Sequence, residues 1–249
     1  PLQAWPRDIA KYEDTYKVGY EPIRKTRYEN QKRMGLWKGK APLSDEVHKS
    51  WDSLSAEEQK KEARRMAVYA AMIDSVDQNI GRLLRKMKQM GELENTLIMF
   101  LSDNGPSAEG GNWGFDRLKG EQLGKAESFS SYGRSWANLS NTPFKKYKLW
   151  TYEGGISTPF IFHWPSGLNP QRRGEIEQES FGHIIDLIPT CLDAAGLYTR
   201  EIGNSLEGQS LVEVINGEEV NSKRTLFWEH EGNKAMRKGD WKLISRYSD

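Results

Sequence analysis

The stretch Leu97-Ile98-Met99-Phe100-Leu101-Ser102-Asp103-Asn104-Gly105 constrains this chain most. Five apolar residues make a run of strand length without alternation, the pattern of a strand covered on both faces. The run then breaks abruptly into an acid, an amide and a glycine. A buried strand that ends this way delivers polar groups at its C-terminal edge, where open α/β sheets hold their ligands. Asp103 offers a carboxylate and Asn104 an amide carbonyl, both hard oxygen donors of the kind calcium or magnesium takes. Asp-Asn-Gly is also an ordinary turn sequence, so the stretch alone leaves both readings open.

What precedes it supports an α/β unit. Ser55-Ala56-Glu57-Glu58 has the form of a capping box, which predicts a helix start. Apolar residues at Met66, Tyr69, Ala70, Ile73, Val76, Ile80, Leu83, Leu84 and Met87 keep helical spacing up to Gly91. A long helix with one buried stripe is expected, its methionines packing and its Asp74 and Asp77 solvated or bonded to N–H groups. Helix, short link and strand form the αβ half of a parallel-sheet unit.

From Gly105 to Pro143 the chain is rich in glycine, serine and asparagine, as a wall of an active site would be. Lys148 follows, with Tyr152-Glu153-Gly154-Gly155 predicting a tight turn and Thr158-Pro159-Phe160-Ile161-Phe162 another buried strand. This order places Lys148 at the same sheet edge as Asp103. A fixed ammonium beside a divalent cation suits a strongly anionic group such as a sulfate or phosphate ester.

Charge narrows the partners. The 36 Lys and Arg nearly cancel the 35 Asp and Glu, so no global field recruits nucleic acid or an anionic membrane, and neither partner is expected. Lys25, Arg27, Lys32, Arg33, Lys38 and Lys40 are interleaved with acids and read as a solvated face. Residues 1 to about 50 are expected as surface helices, at Pro6 to Tyr16 and Pro22 to Met34. No run approaches the ~20 apolar residues of a membrane helix. The single Cys191, in an apolar pattern, reads as a small buried hydrophobe. Asp186 reads as the cap of a helix running to Gly196, with His183 and His163 structural and His48 on the surface. After Arg224, short alternating runs separated by Gly232 and Gly239 predict a small antiparallel subdomain in which His230, Glu231, Asn233 and Arg237 form a polar group.

The ordered set of apolar strand, Asp-Asn-Gly, long loop, Lys148, Tyr-Glu-Gly-Gly and Thr-Pro-Phe-Ile-Phe, with Glu229-His230-Glu231-Gly232-Asn233 and Gly239-Asp240-Trp241-Lys242-Leu243 after it, resembles the sulfatase family of the alkaline-phosphatase superfamily. The resemblance implies an α/β fold, a mostly parallel sheet flanked by helices in residues 1–222, and the start of an antiparallel subdomain in 223–249. It implies calcium, or magnesium in its place, held by Asp103 and Asn104. Lys148 would contact the sulfate and the leaving oxygen as a catalytic residue, and His230, Asn233 and Arg237 would bind substrate, with Trp113, Trp136 and Trp150 suited to a sugar or aryl ring. The substrate class is a sulfated small molecule or glycan, and the family's compartments are periplasmic, secreted or lysosomal. Oligomeric state is not implied.

The family's formylglycine is made from a Cys/Ser-x-Pro-x-Arg motif that does not occur here; Ser157-Thr158-Pro159-Phe160-Ile161 has isoleucine in place of arginine. The first pair of aspartate ligands is also missing. The expectation is therefore a middle and later portion of a sulfatase, inactive alone. Two alternatives stay open: a sulfated-glycan binding pseudoenzyme module, and a phosphate or phosphonate ester hydrolase of the same superfamily.

Overall fold

A computed structural model describes residues 1–37, 42–45, 50–118, 123–218 and 224–247. Lys38, Lys40, His48, Gly120 and the expected boundary at 222/223 lie outside the described residues. The chain divides into two compact units, one of residues 1–85 and 104–157, the other of residues 86–103 and 158–249.

The first unit is helical. It contains α1 (Pro6–Ala10), α2 (Tyr20–Arg33), most of α3 (Ala56–Gln89), α4 (Gly133–Ser140) and the single turn α5 (Glu153–Ile156). The start of α3 follows its sequence: Ser55 N–H donates to Glu58 Oε2 at 2.8 Å and Glu58 N–H returns to Ser55 Oγ at 3.3 Å. These bonds satisfy helix N–H groups that have no intrahelical partner. Asp74 accepts from Lys11 Nζ at 2.7 Å. The buried stripe of α3 is shorter than its periodicity predicts. Ala63, Met66, Ala67, Val68 and Ala71 are buried, whereas Ile73, Val76 and Leu83 are exposed. Helical spacing marks which residues share a face, but only a packed neighbour buries it.

That neighbour is an aromatic cluster around Trp136 of α4, which is fully buried. The rings of Tyr16, Tyr20 and Trp51 meet it edge-on at centroid distances of 5.6, 4.5 and 6.0 Å. Its indole N–H donates to the Glu62 carbonyl at 3.0 Å, so a polar atom in the core is satisfied. Trp136 is therefore a core residue and not part of a ring-binding pocket. Trp113 and Trp150 are half-buried against the same core. Beneath Trp136, Glu62 is buried with Arg65, whose Nε donates to Glu62 Oε1 at 3.1 Å and whose Nη2 reaches Asp116 Oδ2 at 2.5 Å. Burial pushes the Glu62 carboxyl up to about 7 despite that guanidinium.

The second unit opens with β1 (Ile98–Leu101) and β2 (Phe160–His163). These strands pair antiparallel, Leu101 opposite Phe160 and Ile98 opposite His163. The helix–strand sequence predicted a parallel partner for β1. The chain instead re-enters the sheet at the end where β1 left it, and Thr158 Oγ1 donates to the Ser102 carbonyl at 2.7 Å there. Then come α6 (Leu187–Ala194), α7 (Arg200–Ser205), α8 (Val212–Asn216) and a three-stranded antiparallel sheet of β3 (Thr225–His230), β4 (Asn233–Lys238) and β5 (Trp241–Ser245), in that order.

Glu231 and Gly232, at φ of 51° and 80°, form the two-residue link between β3 and β4. Two positive-φ residues make the turn whose twist matches a hairpin, as the glycine spacing predicted. Two other expectations change. Cys191 is exposed, because Pro189 and Thr190 make the buried face of α6. Asp186 precedes α6 without capping it by its side chain. Its fully buried carboxylate instead accepts from His183 N at 2.7 Å, Gln209 N at 2.9 Å and Arg224 Nη1 at 2.6 Å, tying three segments together. His183 is structural as expected: its Nδ1 accepts from Ile185 N at 3.3 Å, and burial lowers its proton affinity.

Candidate functional site

The candidate site of the first unit is built where the segment from Asn104 to Glu109 runs beside the segment from Lys145 to Gly155. Two backbone bonds lock them: Gly105 N–H donates to the Gly155 carbonyl at 2.8 Å and Lys148 N–H to the Pro106 carbonyl at 3.0 Å. The stretches that the sequence marks as functional thus meet. Their closeness explains the glycines. A Cβ on Gly105 would overlap the carbonyl oxygen of Gly154, and one on Gly155 would overlap that of Trp150. Only hydrogen side chains permit this approach.

The Lys148 segment is held from within. Gly154 N–H donates to the Lys145 carbonyl at 3.1 Å and Trp150 N–H to that of Tyr147 at 3.2 Å. Lys146 and Leu149 on either side of Lys148 have φ of 68° and 83°, conformations a non-glycine residue adopts only when its surroundings impose them. Asn141 imposes part of this, its side-chain amide donating to the carbonyls of Lys146 and Gly154. Sequence reasoning missed Asn141, because an asparagine beside Thr142-Pro143 in a glycine- and serine-rich stretch looks like any loop residue.

Around Lys148 the charge is positive. Lys145 Nζ lies 5.7 Å from the ring centroid of Tyr152 and Lys146 Nζ 4.6 Å from that of Trp150, so two of the three lysines rest on aromatic faces. Lys148 Nζ is half-exposed and 3.6 Å from Glu109 Oε1, a second residue the sequence did not single out. Asn104 turns its amide group back on its own chain, Nδ2 donating to the Gly105 carbonyl at 2.8 Å. That bond orients the side-chain carbonyl, the atom a hard cation would take.

Asp103, in the second unit, is exposed and lies two residues beyond β1. Asp103 and Asn104 suit calcium in chemical kind but supply only part of the 6–8 oxygens it takes. Among the described residues, no three His, Cys, Asp or Glu side chains converge as a metal shell.

Elsewhere in the second unit, His230 and Asn233 face each other at the hairpin tip, Asn233 Nδ2 donating to the His230 carbonyl at 3.2 Å. Arg237 is four residues further along β4, roughly 13 Å at ordinary strand rise. Its guanidinium packs 4.1 Å from the centroid of the Phe181 ring, and its Nε donates to the Gly239 carbonyl at 3.1 Å. The polar group expected around His230 is therefore split along the hairpin, because residues dense in sequence spread out in a strand.

The sulfatase family model matches residues 6–197. The chain belongs to the sulfatase family. It is 35% identical over 271 aligned residues to an uncharacterized sulfatase of Schizosaccharomyces pombe, covering 98% of this chain and 47% of that protein. It is 36% identical over 208 residues to an arylsulfatase of Klebsiella aerogenes, covering 79% of this chain and 44% of that enzyme. The chain thus spans about half the length of the curated relatives it matches. Among solved structures, a Ps i-CgsB complex with k-i-k-neocarrahexaose matches with a TM-score of 0.52 at 21% identity, over 92% of this chain and 46% of that one. This likeness supports the α/β sulfatase fold.

Proposed function

We propose that this sulfatase chain contributes the cation-supporting and anion-receiving edge of a sulfate-ester hydrolase. The reading rests on one observation: backbone bonds hold Lys148, flanked by positive-φ residues, beside the segment that opens with Asn104. Asp103 and Asn104 supply consecutive oxygen ligands to calcium, which would withdraw charge from a bound sulfate. Lys148 places an ammonium against the same sulfate and its leaving oxygen. The substrate class is a sulfated sugar or aryl ester.

Calorimetric titration with calcium and then 4-nitrophenyl sulfate tests this. Calcium binding that Asp103→Ala abolishes, with ester binding that Lys148→Ala weakens about tenfold or more, is the expected result. Ester binding indifferent to Lys148 and to calcium overturns the proposal.

A further inference from the structure

The sulfate chemistry uses Lys148 but not its neighbour Glu109, whose Oε1 lies 3.6 Å from Lys148 Nζ. At that distance the two charges attract without a hydrogen bond, so the ammonium and the carboxylate can each still bond to a ligand. Both are within a ligand's reach, with side chains 40% and 55% exposed.

An exposed ion pair contributes little to stability, yet buried groups of the first unit fix this one in place. Lys148 N–H donates to the Pro106 carbonyl at 3.0 Å, and Ser131 Oγ donates to the Glu109 carbonyl at 2.8 Å, so residues 106–109 are anchored at each end. Ser131 is itself held, its carbonyl accepting from Nη1 of the buried Arg65 at 2.6 Å. After Glu109 the chain turns through Gly110 and Gly111 at φ of 87° and 72°, and Arg134 N–H donates to the Gly111 carbonyl at 2.9 Å. A Cβ on Gly110 would overlap the carbonyl carbon of Gly114, so this turn packs backbone against backbone. The carboxylate therefore starts from a fixed point beside a lysine whose own backbone is fixed.

The two signs select the ligand. A plain sulfate ester is attracted by Lys148 and opposed by Glu109. An ester that also carries a protonated amine a few bonds from the sulfate satisfies both: its sulfate oxygens accept from the lysine and its amine donates to the carboxylate. We propose that Glu109 is a specificity-determining residue that favours sulfate esters bearing a protonated amine close to the ester and disfavours those without one. The proposal rests on the sulfate reading of Lys148.

Titration with 2-aminoethyl hydrogen sulfate and with ethyl sulfate, calcium present, followed through the amide chemical shifts of residues 107–109 and 147–149 in two-dimensional NMR, tests it. The aminated ester should bind about fivefold more tightly. Glu109→Gln should act with opposite signs on the two ligands, weakening 2-aminoethyl hydrogen sulfate about fivefold and tightening ethyl sulfate a few-fold. A purely structural role would move both in one direction. Glu109→Asp, which keeps the charge, should keep the preference for the aminated ester. If Lys148→Ala weakens ethyl sulfate binding, the sulfate reading stands, and equal affinity for the two esters or a Glu109→Gln effect of one sign on both overturns this proposal alone. Ethyl sulfate binding indifferent to Lys148→Ala overturns the sulfate reading and this proposal with it.

Discussion

The amide of Lys148 donates to the carbonyl of Pro106 at 3.0 Å, tying the lysine's backbone to the residue two after Asn104. Through this bond, a loop lysine 42 positions further along the chain becomes a fixed neighbour of the segment that opens with Asn104. The ammonium itself remains half-exposed, 3.6 Å from Glu109 Oε1. Position comes from the backbone, and charge is left for a ligand.

Lys148→Ala should therefore separate stability from binding. An exposed ion pair is worth less than about 1 kcal/mol, so the urea midpoint should barely move while sulfate-ester affinity falls. Glu109→Gln should act oppositely on binding, raising affinity a few-fold by removing the neutralising carboxylate. Equal losses of stability and affinity in Lys148→Ala would assign the lysine to packing.

Gly105→Ala should destabilise the first unit by about 2 kcal/mol or more, since the added methyl meets the fixed carbonyl of Gly154. Gly81→Ala, in α3 with only Arg85 Nη1 at 3.5 Å from the new methyl, should stabilise by about 0.5–1 kcal/mol. Chemical denaturation of the two variants compares them directly.

Glu62 gives the stability a pH dependence. Its carboxyl is near 4.5 when unfolded and about 7 when folded, so the folded state binds the proton more tightly. The contribution is complete below pH 4.5 and is lost as pH rises through 7, on the order of 3 kcal/mol in all. Glu62→Gln should flatten the melting temperature between pH 5 and pH 8. An unchanged profile in the variant would mean that other groups carry the dependence.

Arg224→Met should cost the second unit about 3 kcal/mol or more, because it strands the fully buried Asp186 carboxylate without its cation. The double variant with Asp186→Asn should cost less than the two single changes summed, as thermal denaturation of the four proteins would show.

Local chemistry was legible from residues alone. Ser55 and Glu58 cap α3, Glu231-Gly232 turns the hairpin, and Ile98–Leu101 makes a strand, because capping, positive φ and apolar runs depend on a few adjacent residues. The sulfatase resemblance was legible too, since its motifs lie in order along the chain. Tertiary structure decided the rest. It sent Trp136 into the core, left Cys191 and much of α3 exposed, and paired β1 with β2 antiparallel. It recruited Asn141 to hold the Lys148 segment and Asp186 to gather three segments. Burial, charge pairing and strand partnership are properties of residues distant in sequence, and a periodic pattern states only which side chains share a face, not what covers it.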